Sequence, residues 1–396
     1  MAFQPYNSEM IDLRRGRDTL RILSVTKSTG GLSIYNTRLV RKLQEYGFDV
    51  SVLCLSENNE QYADELRGYG IDAYTMDMER YSISVTSDLR LAREMTRFVR
   101  QHKFDVVIGH GSKAGFLVRI IERMTHVPAV YALASMSFVP RIHGKKAYIY
   151  RELERFATLW GGHIVVLADG IRNELIRQRI APPNRITTIY TGIDTEQFSN
   201  PMDRAEACRT IGVDPTRPVV GWAQRLMPQK APLDYLRAAA EVVKEVPEAQ
   251  FYLAGSGQLE SEVHEEIKRL NLQDNVVRAA WQSNVHAMLS AFDVYVLSSH
   301  WEGLPLSLLE AMSMGLPSVV TAVDGNVDVI ETGKSGYLVP AKDTQKIAQN
   351  ITKLLRNDSL RLEMGQAARQ RIVDAFNIDR MAQEWADLLW VLASRR

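Results

Sequence analysis

The sequence is poor in cysteine. Cys54 and Cys208 are the only two in 396 positions, and they stand far apart. That excludes a disulfide framework and any C-x-x-C redox or metal motif, and points to a reducing cytosol. No apolar run reaches about 18 residues, so no transmembrane helix is expected. The leading stretch "MAFQPYNSEMIDLRRGRD" lacks an apolar h-region, so a secretory signal is not expected either. There is no H-E-x-x-H, no D-x-D, no G-x-S-x-G and no Walker A pattern. A bound metal is therefore not expected. The formal net charge of +1 gives no bulk attraction to nucleic acid.

What is present is an alternation of short β-branched runs and amphipathic segments. The first series of strand-like runs is 20–26, 48–55, 104–110, 128–133, 162–168 and 185–192. After the loop "DTEQFSNPMDR" a second series follows at 218–223, 250–255, 275–280, 293–299, 317–322 and 336–340. Such alternation predicts parallel sheets covered by helices on both faces. Two series predict two doubly wound domains, 1–199 and 200–378, facing across a cleft, with a last helix over 379–396. Ligands then belong beyond the carboxyl ends of the strands. Charge differs between the halves: residues 1–200 hold 27 Lys and Arg against 22 Asp and Glu, while 201–396 hold 21 against 25. The basic half suits an anionic partner.

Five stretches stand where such ligands would bind. "STGGLS" (28–33) follows the first strand and opens a helix, so Gly30 and Gly31 let backbone N–H groups approach an anion. It is equally an ordinary capped turn, and it is not the G-x-G-x-x-G dinucleotide fingerprint. "GWAQRLMPQKAP" (221–232) puts Arg225 and Lys230 after the first strand of the second series, either a fork and a point charge suited to a diphosphate or two solvated loop cations. "HWEGLPLSLLEAMSMGLP" (300–317) puts Glu302 in a loop and Glu310 on a helix closed by Gly315, with Pro305 in its first turn. Buried among Leu and Met, Glu310 needs a partner, either a ligand or a protein group. "HGSKAG" (110–115) turns His110 and Lys113 toward the cleft, as base or hydrogen-bond donor and as anion anchor. Its plainer reading is a helix cap with exposed cations. Finally, 89–103 and 141–156 are basic and amphipathic, and Arg141 and Lys145 stand beside aromatic residues. Either segment is a packed helix with a solvated face or a contact to an anionic membrane surface.

Taken together these motifs resemble the retaining glycosyltransferases of family 4, which have the GT-B fold. The likeness runs from Gly30 to the terminal helices. Its most specific part is "EGLPLSLLEAMSMGLPSVVTAVDGNVDVIETGKSGYLVP" (302–340), similar to the family's E-x7-E segment; "QRLMPQK" is similar to its R-x4-K element and "STGG" to its glycine loop. "HGSKAG" resembles a variant found among members that build lipopolysaccharide, capsule and other envelope glycans. The resemblance implies that Arg225 and Lys230 hold the donor diphosphate, that Glu310 bonds the ribose hydroxyls and that Glu302 contacts the donor sugar. Gly31 would approach the phosphates or the acceptor. Gly303, Leu304 and Leu306 would line the donor site, and backbone groups near Ala280 and Trp281 would meet the base. The family often carries His-Gly after the fifth strand; here Ala134 and Ser135 stand there. That leaves His110 as a substitute, or Ser135 as the sugar contact, or a low activity.

The expected reaction is transfer of a hexose-type sugar from a nucleotide sugar, UDP-linked by analogy, to an acceptor hydroxyl with retention. No cofactor is expected beyond the donor as co-substrate, because fixed cations replace a metal. The acceptor, a lipid-linked glycan or an oligosaccharide, is assigned to the basic first domain, with His110, Lys113, Ser135, Arg141 and Lys145 as candidate contacts. The expected location is the cytoplasm, with an option of peripheral contact at the inner face of the plasma membrane. Two other classes stand beside this one. A degenerate binder would hold nucleotide sugar without releasing UDP, and a GT-B-fold epimerase would turn over donor without an acceptor.

Overall fold

The computed structural model describes residues 19–27, 31–55, 60–78, 85–134, 136, 144, 146–282 and 284–394. Gly30, Ser135, Arg141 and Lys145 lie outside them. Contacts divide the chain into two units. The first ends at Gly192 and includes Ile378–Arg396; the second is Ile193–Asn377.

The first unit is built on a seven-stranded parallel sheet in the order β3-β2-β1-β4-β5-β6-β7. The strands are β1 (Arg21–Thr26), β2 (Asp49–Leu55), β3 (Asp72–Met76), β4 (Val106–His110), β5 (Ala129–Leu133), β6 (His163–Val166) and β7 (Ile186–Thr188). Every residue of β4 and β5 is buried, as expected of a parallel strand covered on both faces. The strand β3 is absent from the sequence expectation. It is a short edge strand with an exposed Asp72 and mostly half-buried positions, so it has no continuous apolar run to announce it. The expected strand 185–192 shrinks to three residues at the other edge.

The second unit carries a six-stranded parallel sheet, β10-β9-β8-β11-β12-β13. Its strands are β8 (Val219–Ala223), β9 (Gln250–Ala254), β10 (Val276–Ala279), β11 (Val294–Leu297), β12 (Ser318–Thr321) and β13 (Gly336–Val339). Val220, Trp222, Phe251 and Val294 pack with Tyr235 and Leu236 of the helix Pro232–Glu245 into its core. In both sheets the chain starts in the middle, winds to one edge, then returns and winds to the other. The loops after β1 and β4, and those after β8 and β11, therefore diverge to opposite faces, which opens a crevice at each switch point.

The helix Ile378–Ala393 packs within the first unit. Trp385 donates its Nε1 hydrogen to Tyr35 Oη at 2.9 Å, Trp390 meets Phe48 with ring centroids 5.9 Å apart, and Lys42 pairs with Asp379 at 2.9 Å.

Candidate functional site

The switch point between β8 and β11 gathers most of the charged candidates. β8 ends at Ala223, and the loop after it is pinned before it reaches Lys230. Gln224 N donates to Ala254 O and Leu226 N to Ser256 O. The next residue, Ala231, adopts φ 48° and ψ 55° and precedes Pro232. A left-handed alanine before proline is unfavourable by about 1–3 kcal/mol and persists only when its surroundings fix it. Here Ser298 at the end of β11 fixes it, donating from Oγ to the carbonyls of Lys230 at 3.1 Å and Ala231 at 2.9 Å. The strain aims Lys230 across the switch point.

There Lys230 Nζ meets Glu302 Oε1 at 2.6 Å, with side-chain exposures of 11% and 5%. Ser299 Oγ donates to the same oxygen at 2.6 Å, and Glu302 N donates to Asp324 Oδ2 at 2.9 Å. A buried ion pair of this kind loses hydration on both sides, so it holds only with good geometry and added hydrogen bonds. Both are present. The sequence reading gave Lys230 to a diphosphate and Glu302 to a sugar as separate tasks. The structure joins them into one unit: the carboxylate holds the ammonium.

Arg225 differs from Lys230. It is exposed, and among the described residues its guanidinium has no hydrogen-bond or ion-pair partner. Next to this loop lies a pocket lined by Gly255, Trp281, Met288, Tyr295, Ser307 and Glu310, among others. Trp281 is 66% exposed, so its indole presents a face at the rim. Ala280 is also exposed. Gly255 has φ 136°, and a Cβ there would stand 1.8 Å from Gln224 O, so only glycine permits this wall of the pocket. Buried Gln224 ties two of the lining residues together, donating to Tyr295 Oη at 2.8 Å and to Ser307 Oγ. Burial pushes the Tyr295 phenol upward, so it stays a neutral hydroxyl.

Glu310 lies on the helix Leu306–Ser313 and faces this pocket. Pro305 is the residue that caps the helix rather than part of its first turn. Leu308 N and Leu309 N both donate to Pro305 O, which leaves the amides of Leu306 and Ser307 at the positive end of the helix, where they favour an anion. Leu306 is half-buried and Leu304 buried beneath them. Gly303 O accepts from Gly325 N at 3.0 Å, which staples the Glu302 loop to the loop after β12.

The first unit handles its switch point differently. His110 is the last residue of β4 and is 1% exposed. Its Nε2 lies 3.0 Å from Ser24 Oγ, and Ser24 donates onward to Asn36 Oδ1 at 2.5 Å. Asn36 donates to Tyr62 Oη at 3.2 Å. Since the serine hydrogen is spent on Asn36, the imidazole proton must sit on Nε2. Among the described residues Nδ1 has no hydrogen-bond partner. A second proton there would be a buried donor without an acceptor. Burial accordingly lowers the His110 pKa to about 3. The expected cleft-facing base is thus a neutral interior group under the edge of Tyr35, with centroids 5.8 Å apart. The expected strand 104–110 already ends on His110; contact with Ser24 of β1 and with Tyr35 of the helix Gly31–Glu45 holds its side chain in the interior. Lys113, the expected anion anchor, pairs with Asp88 at 2.8 Å. Gly31 opens the helix Gly31–Glu45 and is exposed, with open space where a Cβ would stand. Ala134 is half-buried just past β5.

The sequence reading passed over Ser299, Asp324, Gln224, Tyr295 and Ser307. Asp324 and Ser299 carried a usable signal, since Ser299 is the second residue after β11 and Asp324 the third after β12. Gln224 and Tyr295 did not, because their partnership depends on which strands are neighbours.

Two Rossmann-like parallel-sheet units in one chain, with a charged crevice at the second switch point, form the GT-B fold. A glycosyltransferase from Rickettsia africae superposes with TM-score 0.83 over 96% of this chain and 100% of its own, at 16% identity. Anabaena Alr3699/HepE, solved with UDP and glucose, superposes with TM-score 0.81 over 93% and 99%, at 19% identity. The model of glycosyltransferase family 4 matches residues 29–197, and that of the group 1 glycosyl transferases matches 203–371. The Escherichia coli UDP-Gal:alpha-D-GlcNAc-diphosphoundecaprenol alpha-1,3-galactosyltransferase is 27% identical over 86% of this chain and 88% of its own. The chain belongs to the family 4 glycosyltransferases with the GT-B fold, and it is a glycosyltransferase with relatives in envelope glycan synthesis.

Proposed function

We propose that this enzyme moves a hexose-type sugar from a UDP-sugar to a hydroxyl of a lipid-linked glycan, with retention at the anomeric carbon. The observation that carries the proposal is the Lys230–Glu302 pair, set beside the exposed Arg225 and the pocket that Glu310 lines. The relative from Escherichia coli names both a UDP-sugar and a diphospholipid acceptor, and HepE was solved with UDP.

In this reading the uridine stacks near Trp281, and Glu310 accepts from the ribose hydroxyls. Arg225, Lys230 and the amides of Leu306 and Ser307 receive the diphosphate. As the bond from the anomeric carbon to the diphosphate oxygen breaks, negative charge grows on that oxygen. Fixed cations stabilise it without reorganising, a contribution of about 3–4 kcal/mol per well-placed donor. The acceptor oxygen bonds to the anomeric carbon on the face the diphosphate leaves, and its proton passes to the departing phosphate. No side chain here needs to serve as a covalent nucleophile, and His110 is not the base. Glu302 keeps Lys230 pointed at the leaving group and offers its second oxygen to sugar hydroxyls. The donor is the only co-substrate this scheme needs. The acceptor is assigned to the first unit, whose basic half suits a diphospholipid.

The test is turnover of a panel of UDP-sugars with a lipid-diphosphate-linked sugar acceptor, with the anomeric configuration of the product read by NMR. UDP release and an axial product linkage from an axial donor are expected. An inverted product would refute retention. Tight UDP binding without release would favour a degenerate binder, and a new sugar without acceptor would indicate an epimerase.

A further inference from the structure

The helix Lys146–Thr158 is inside out. Its buried side carries Ala147, Glu154, Ala157 and Thr158. Glu154 Oε2 pairs there with Arg119 at 2.6 Å, with side-chain exposures of 9% and 0%. Its outward side is apolar: Ile149 is 61% exposed, Phe156 52%, Leu153 40%, and Leu159 just past the helix 78%. Positions 149, 153 and 156 follow helical spacing, so they form one stripe. Trp160 extends it, touching Phe156 at 4.9 Å and Phe116 of the helix Ser112–Thr125 at 5.6 Å between centroids. The acid beside the stripe, Glu152, is neutralised by Arg155 at 2.9 Å. An apolar patch of this kind on a soluble surface marks a contact with something else.

Its surroundings say what. The helices Val85–His102 and Ser112–Thr125 pack side by side, and the second also packs on Lys146–Thr158. Together the three carry ten Lys and Arg against five Asp and Glu. Arg93, Arg97 and Arg123 are exposed. A second copy of the chain laid on this face would bring two positive surfaces together. An anionic bilayer accepts both features at once, apolar side chains below the headgroups and guanidinium groups among them.

We propose that this three-helix face of the first unit docks on an anionic lipid bilayer, with Ile149, Leu153, Phe156 and Trp160 inserted at the acyl boundary. It deepens the lipid-linked-acceptor reading, on which it rests for its purpose but not for its physics. The full chain is floated with vesicles of equimolar phosphatidylglycerol and phosphatidylcholine, and with phosphatidylcholine alone. The wild type should partition to the anionic vesicles and less so at high salt. An I149S/F156S variant should lose at least about tenfold in partition coefficient with an unchanged Tm, because both side chains are already solvent-exposed. An R97Q/R123Q variant should lose several-fold on anionic vesicles only. Equal flotation of wild type and I149S/F156S would overturn the proposal. So would a wild-type dimer by analytical ultracentrifugation that I149S/F156S splits, together with no flotation; that face would then bind a second copy. UDP release to a soluble acceptor should be the same in wild type and I149S/F156S. Its absence in both, with flotation intact, would sink the functional reading and leave the docking face standing.

Discussion

At the β1/β4 switch of the first unit, His110, Ser24, Asn36 and Tyr62 form a hydrogen-bonded run of neutral groups. At the β8/β11 switch of the second, Lys230, Glu302 and Asp324 form a charged cluster beside a pocket. The two sheets share one winding pattern, so topology makes a crevice in both. Sequence decides what each crevice becomes. In the first, His110 at the end of β4 is buried and joins a run of hydrogen bonds through Ser24 and Asn36 to Tyr62. In the second, strained Ala231 and the short polar loop after β11 push a cation and a carboxylate to the edge of solvent. A histidine after a strand and a lysine after a strand look alike in a sequence. Their exposure separates scaffold from site.

The charged cluster should be the more sensitive of the two switch points. Lys230→Ala should lower sugar transfer by about 10²–10³-fold. It also strands the Glu302 carboxylate, at a cost of about 3–5 kcal/mol in stability. Lys230→Met combined with Glu302→Gln removes both charges and should recover most of that stability without recovering transfer. Recovery of both would make the pair a structural feature only. Chemical denaturation and initial-rate assays on the same preparations decide it.

The neutral side should respond through stability. The folded-state pKa of His110 is lowered from 6.5 to about 3, so the unfolded chain binds the extra proton first. Stability from this group is complete above the unfolded value and is lost as pH falls from 6.5 toward 3. The slope should be about 1.4 kcal/mol per pH unit between pH 6 and 4. A His110→Gln variant should be less stable at neutral pH and lack that slope, with transfer close to wild type. Denaturation midpoints across pH in both proteins would show it. Parallel pH profiles would put the burial of His110 in error.

The smallest effect concerns the pocket rim. Trp281→Ala removes an exposed indole, so the Tm should not move. UDP affinity should fall by several-fold, consistent with an aromatic contact of about 1 kcal/mol. Fluorescence titration of UDP would read it, and unchanged affinity would place the uracil elsewhere.

Much of this was legible in the sequence. The parallel architecture follows from β-branched runs between amphipathic helices, and nearly every central strand falls within a residue or two of its expected place. The edges were harder. Strand β3 carries Asp72 and partly exposed positions, so its pairing to β2, not its composition, makes it a strand. The site was legible as positions and not as partners. Arg225, Lys230, Glu302 and Glu310 stand where residues after strands should. That Lys230 meets Glu302, 72 residues away, depends on β8 and β11 being neighbours. The expected strand ends on His110 as the observed one does, but its composition does not reveal that Ser24 and Tyr35, 86 and 75 positions earlier, close over that last side chain.

The most direct test of the central claim is calorimetric titration of UDP into the wild type, Lys230→Ala and His110→Gln, each first shown to be folded at the assay temperature. The wild type should show one binding site, Lys230→Ala an affinity at least about tenfold weaker, as expected for loss of a charge-assisted contact, and His110→Gln an unchanged affinity. Equal affinity in the wild type and Lys230→Ala, or loss of binding in His110→Gln alone, would contradict the claim.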